Sequence, residues 1–115
     1  MPGKVRMTLQ TLQVLQALLE RPTDEHYGLK ISEYSGLPTG SIYPILTRLE
    51  IAGWVTSDWE EIDESAAGRR RRRYYRLTTN GAAAARDEIA KMQARLSTSR
   101  SRAWGPTPQA GWGMA

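Results

Sequence analysis

Apolar positions along this chain follow a helical period at both ends and an alternating one between them, and the changes of period divide it into elements. From Met7 to Glu20, Leu9, Leu12, Leu15, Leu18 and Leu19 form one stripe with Gln10, Gln13 and Gln16 opposite, which predicts a first helix started by Thr8 and ended by Pro22. Arg21 to Asp24 reads as a turn. A short second helix is expected from about Tyr27 to Ser35, with Gly36 at its end, and Leu37-Pro38-Thr39 leads at once into a third. In that third stretch, Thr39 to Gly53, Ile42, Ile45, Leu46 and Leu49 define a core face, while Ser41, Tyr43, Pro44, Thr47 and Arg48 gather on the other. Thr39 is the expected N-cap and Gly53 the expected stop. Pro44 removes one backbone hydrogen bond and should bend or tighten the first turn.

After Gly53 the period shortens. Trp54 to Ile62 is rich in aromatic and β-branched residues and predicts a strand, as does Arg71 to Leu77 with Tyr74 and Tyr75. The polar, glycine-containing stretch from Asp63 to Arg70 should be the loop between them. Thr78 then reads as the N-cap of a last helix reaching about Ser97, in which Ala85, Ile89, Met92 and Leu96 repeat at intervals of 4, 3 and 4, a narrow coiled-coil-like seam. Beyond it lies a Ser, Gly and Pro tail without periodicity, expected to be disordered, in which Trp104 and Trp112 stand without a surrounding pattern. The fold expected is mainly α with a small β-hairpin. Its parts are a winged helix-turn-helix over residues 1–77, a C-terminal dimerisation helix over 78–98 and a disordered tail over 99–115.

Composition narrows the chemistry. The 115 residues fit one domain with a small core. Cysteine is absent, so disulfides and thiolate metal sites are excluded, and the single histidine, His26, rules out a His-rich metal or triad arrangement within one chain. No apolar run approaches the ~18 residues of a membrane span and the N-terminus has no signal-like stretch, so a soluble, cytoplasmic protein without a membrane partner is expected. No nucleophile–base pair, metal cluster or phosphate loop is visible, so neither an enzyme nor a cofactor is expected. Net charge is +4 and the pI about 9.8, a balance that favours a polyanionic partner.

The third helix offers hydroxyls, an aromatic ring and one guanidinium, as suits a helix in a DNA groove; Thr39, Ser41, Tyr43, Pro44, Thr47 and Arg48 are its candidate DNA-binding residues. On the hairpin, acidic residues (Asp58, Glu60, Glu61, Asp63, Glu64) precede an unbroken basic run, Arg69, Arg70, Arg71, Arg72 and Arg73. Cross-strand ion pairs would account for part of that run. Arginines on both faces of a strand leave the remainder for phosphates or a narrow minor groove. Lys4 and Arg6 form a short basic arm, expected to be disordered at its tip. The seam residues Ala85, Ile89, Met92 and Leu96 would meet a second copy of the chain or pack on its own first helix.

In order and at similar spacings, His26-Tyr27-Gly28, Gly40 to Pro44 with Leu46 to Glu50, Gly53-Trp54-Val55, Trp59, and Arg72 to Thr78 followed by Gly81 resemble the PadR family of bacterial transcriptional regulators. The similarity covers about Thr8 to Gly81. It implies a winged helix that binds operator DNA as a homodimer, usually as a repressor, with a C-terminal helix forming the dimer. The arginine run is longer than the family's usual pair. The C-terminal region is shorter than in members that sense a ligand or partner there, and the sequence offers no support for a small-molecule effector. A winged helix acting purely as a protein-interaction module, through the acidic strand and the tryptophan tail, is the competing reading.

Overall fold

A computed structural model of the protein describes residues 3–104, with side chains to residue 98. The elements are α1 (Leu9–Leu19), β1 (His26–Tyr27), α2 (Gly28–Ser35), α3 (Thr39–Ile51), β2 (Val55–Trp59), α4 (Glu64–Ala67), β3 (Arg73–Leu77) and α5 (Thr79–Trp104). Thr8 caps α1 as the sequence suggests, its hydroxyl accepting from the Thr11 amide at 3.1 Å. The buried arc of α1 is wider than the leucine stripe. Thr11, Leu12, Val14, Leu15, Ala17 and Leu18 are all inside, because α2, α3 and α5 each pack on this helix. Leu9, expected in the stripe, is 68% exposed at the first position of the helix.

α2 ends at Gly36, whose amide closes on the Ser32 carbonyl, and α3 begins three residues later. The residue flanking α3 is Pro38, in extended backbone, and its carbonyl accepts from Ser41 and Ile42 at 2.9 and 3.2 Å. Thr39 is therefore the first helical residue and not the cap. Ile42, Ile45, Leu46 and Leu49 lie in the core as their spacing requires, together with Ile31, Trp54, Val55, Tyr75 and Leu77.

The sheet has three antiparallel strands in the order β1-β3-β2. β3 pairs with β2 in a register from Val55↔Leu77 to Trp59↔Arg73, and with β1 through His26↔Tyr75 and Tyr27↔Tyr74. Both hairpin strands are shorter than their sequence limits. Only Arg73 of the arginine run lies in a strand, so the expectation of five arginines alternating across a strand is corrected: Arg69 to Arg72 follow a turn of helix, α4, nucleated by the Asp63 carboxylate accepting from Ser65 and Ala66.

Trp54, 4% exposed, joins the ends of several elements. Its amide donates to the Leu49 carbonyl of α3 at 2.8 Å, and its own carbonyl accepts from the Thr78 amide at 3.0 Å. Gly81, three residues after the α5 cap Thr78, lies against that same carbonyl so closely that a Cβ there would collide with it. From this seat α5 runs along α1, burying Ala82 and Ala85 completely or nearly so. Its helical backbone continues to Trp104, six residues into the segment expected as tail; residues 105–115, with Trp112, lie outside the described residues. No helix among the described residues is long and apolar enough to cross a membrane.

Candidate nucleic-acid interface

Burial of the apolar quartet of α3 turns Tyr43, Pro44, Thr47, Arg48 and Ile51 outward. Thr39 and Ser41, near the start of the helix, are half-buried. Pro44 carries no amide to bond the Gly40 carbonyl, so the first turn keeps an open acceptor toward solvent. Thr47 turns its hydroxyl back on the helix, donating to the Tyr43 carbonyl at 3.0 Å, which leaves the oxygen free to accept. Tyr43 is 42% exposed. The ring leans over α2, where its phenol occupies the space that a side chain at Gly28 would need. The absence of a side chain at Gly28 is what gives the phenol this seat. Arg48 has no acidic partner among the described residues, so the face from Ser41 to Arg48 carries positive charge only.

The wing divides its arginines between two tasks. Glu60, on the strand side of the loop and 9% exposed, is gripped from both directions. Arg69 donates to its two oxygens at 2.7 and 3.1 Å, and Arg72 at 3.2 and 3.1 Å through the guanidinium and 2.9 Å through its amide. Tyr27 of β1 adds its hydroxyl at 3.2 Å, and the Arg72 guanidinium lies 4.4 Å over the Tyr27 ring. These donors, Arg69 first and then Arg72, hold the Glu60 carboxyl well below the usual carboxylate range against the opposing effect of its burial. Burial, and then the hydrogen bond to Glu60, push the Tyr27 phenol up; the same carboxylate raises Arg69.

Arg73 is held as well. It donates to the Ser57 hydroxyl at 2.7 and 3.1 Å, lies 5.5 Å over the Trp59 ring and approaches Glu50 of α3 at 3.8 Å, while Ser57 donates to Glu50 at 2.7 Å. Glu50 thereby fastens α3 to the base of the wing. Arg70 and Arg71 differ from their neighbours. Arg71 is held by its backbone alone, the amide donating to Glu64 at 2.7 Å, and the Arg70 carbonyl accepts from Arg69. Both guanidinium groups are exposed and make no ion pair among the described residues. Of the acidic residues before the run, Glu60 alone takes arginine side chains; Asp58 caps the Trp59 amide and Asp63 starts α4. Tyr74 and Tyr75 are structural: Tyr75 is 6% exposed, and Tyr74 meets Tyr27 edge to face at 6.4 Å.

The seam residues of α5 separate in the same way. Ala85 is fully buried in the chain's own core and is not available to a second chain, because the helix packs on α1 at that level. Ile89 packs against the edge of that core, Met92 is half-buried, and Leu96 is 60% exposed where α5 runs past the rest of the domain. Sequence reasoning overlooked the parts played by Glu60, Tyr27 and Gly28. The Tyr27-Gly28 pair was visible in the motif, but a two-residue strand leaves no periodicity, and the seat under Tyr43 exists only after α2 and α3 meet. No group of three or more His, Asp or Glu among the described residues could hold a metal.

Three short helices with a tight three-residue connection, Gly36 to Pro38, before α3, followed by a β2-β3 wing, define the chain as a winged helix-turn-helix protein. The sequence profile of the Transcriptional regulator PadR-like family matches residues 14–87, and the chain belongs to that family. Among solved structures, smu.1704 of Streptococcus mutans superposes with a TM-score of 0.66 at 23% identity, covering 90% of this chain and 98% of that one. A PadR family transcription regulator from a hypervirulent Clostridium difficile gives 0.61 at 24% identity, with 83% and 96% covered. ZitR of Lactococcus lactis gives 0.61 at 19% identity over 88% of this chain, which spans only 63% of that longer protein. No curated protein matches the sequence.

Proposed function

We propose that the chain is a sequence-specific repressor that binds a palindromic operator as a homodimer, placing α3 in the major groove and the wing on the flanking backbone. The observation that carries the reading is the exposed face of α3, which presents Tyr43, Thr47 and Arg48 with no acidic residue among them and is fixed to the wing through Glu50, Ser57 and Arg73. Ser41 and Tyr43, near the helix N-terminus, read base edges; Arg48, further along, contacts a phosphate. Arg70 and Arg71 supply wing contacts to phosphates or the minor groove. Dimerisation uses the part of α5 beyond Ala85, where Ile89, Met92 and Leu96 leave an apolar strip.

The test is a gel-shift titration of wild type and Tyr43→Ala against DNA from upstream of the protein's own gene and against random DNA, at two salt concentrations. Tyr43→Ala, folded by circular dichroism, should lose preference for the operator and keep most of its affinity for random DNA. Wild-type selectivity in that variant would show that another face enters the groove. A wild type with no measurable DNA affinity would favour the protein-interaction module.

A further inference from the structure

The first residues of the described chain are not a loose arm. The Gly3 amide donates to the Ala52 carbonyl at 2.6 Å, at the C-terminal end of α3, and the Trp54 indole donates to the Gly3 carbonyl at 2.6 Å. Both bonds use the Gly3 backbone, the second from a tryptophan that is 4% exposed, and Val5 packs against the core cluster beyond them. Gly3 sits in a fixed position, and Lys4 and Arg6 follow from it; the tip expected to be disordered, residues 1–2, lies outside the described residues. Together with Arg48 and Ile51 of α3 they line one open cleft of about 290 Å³. Ile51 is 82% exposed, the most exposed large hydrophobic residue among the described residues. It lies one turn beyond Thr47 and Arg48 on the outward face of α3, so the cleft continues that face. Lys4, Arg6 and Arg48 are exposed and have no acidic partner among the described residues.

We infer that the Trp54 indole and the Ala52 carbonyl pin the N-terminal arm to the end of α3, so that Lys4, Arg6 and Arg48 form a preset clamp for the sugar-phosphate backbone of the DNA that α3 reads. The inference rests on the DNA-binding reading above and assigns the backbone contacts at the end of the helix opposite its N-terminus. Three unpaired cations around one cleft select a polyanion, and continuity with the groove-facing side selects the strand beside the groove over an acidic protein elsewhere. Ile51 supplies an apolar floor against which a sugar can rest. Pinning matters because a free arm must be ordered each time the complex forms, whereas this one is ordered beforehand.

The experiment uses the full chain in two arms. In the first, trypsin cleavage after Lys4 and Arg6 is followed without DNA. Wild type should be cut slowly there, and Trp54→Phe, which keeps an aromatic ring but has no N–H, should be cut at least several-fold faster while remaining folded by circular dichroism. In the second, affinity for operator is measured across salt. Lys4→Ala with Arg6→Ala should lower the salt slope by about two units, so that the loss between roughly 50 and 200 mM is about twelvefold smaller than in wild type. Trp54→Phe should weaken binding while keeping the slope, since its charges are all present. Wild type cut at Arg6 as fast as an unfolded peptide overturns the pin. A normal slope in the Lys4 and Arg6 double variant overturns the clamp, even where Arg48→Ala confirms that α3 meets DNA. Absence of wild-type DNA binding overturns the reading beneath both, and an acidic polypeptide competing for the cleft in place of DNA would then name the partner.

Discussion

Removing two arginines from the wing should have two different results according to which two are removed. Arg70→Ala with Arg71→Ala and Arg69→Ala with Arg72→Ala each subtract two charges from the same five-residue run, so a simple charge cloud would treat them alike. The structure does not: Arg69 and Arg72 are engaged with Glu60 at 2.7 to 3.2 Å, while Arg70 and Arg71 hold nothing with their side chains. Each phosphate contact contributes about 0.9 to the slope of log affinity against log salt, which over a fourfold change in salt is about 3.5-fold per contact and about twelvefold for two. Loss of Arg70 and Arg71 should therefore flatten the slope by nearly two units and leave the melting temperature where it was. Loss of Arg69 and Arg72 should change the slope by less than one unit. It should lower the melting temperature, because a nearly buried carboxylate is left with the Tyr27 hydroxyl and one backbone amide. Fluorescence anisotropy with labelled operator at four or five salt concentrations, beside a thermal melt of each variant, reads both quantities. Equal slopes in the two variants would refute the division of labour. A larger slope change in the Arg69 and Arg72 pair would place the DNA on the other side of the wing.

Two further expectations follow from the same geometry. Met92→Glu with Leu96→Glu should sediment as a folded monomer with poor operator affinity, since the charges enter the strip beyond Ala85 and leave the intrachain core alone; a wild type already monomeric at micromolar concentration would contradict the dimer. Glu60 is depressed from an ordinary value of 4.5, so it stabilises the fold fully above that pH and the contribution is lost as the pH falls toward its folded-state value. The difference in melting temperature between wild type and Glu60→Gln should thus stay level from about pH 8 to about pH 5 and close only in stronger acid, and a difference that closed near neutrality would show that Glu60 is not held by its arginines.

The long helices α1, α3 and α5 were legible because each leaves a periodic apolar face, whereas α4, which buries nothing, was read as loop. Ile42, Ile45, Leu46 and Leu49 mark α3 without any knowledge of what covers them, and Thr8 and Thr78 announce two helix starts by hydroxyls that do cap. What escaped was set by contacts between elements distant in sequence. His26 and Tyr27 are too few to alternate, yet they complete the sheet because β3 offers them an edge. The arginine run looked uniform, and only the closure of the wing around Glu60 makes position 70 differ from position 69. Ala85 belonged by spacing to the same seam as Leu96, but α1 covers the first of them and not the last. Helical spacing identifies a stripe; it does not say how far along the stripe the neighbouring helix extends.

Trp54 ties the last turn of α3 to the cap of α5, with Gly81 leaving no room for adjustment between them. In a dimer joined through α5, that stiff elbow would translate the crossing angle of the two long helices directly into the separation of the two reading helices. The number of base pairs between operator half-sites would then be a property of the elbow, inherited by every member that keeps a tryptophan and a glycine there. Selection for a new operator spacing would act on residues that never approach DNA.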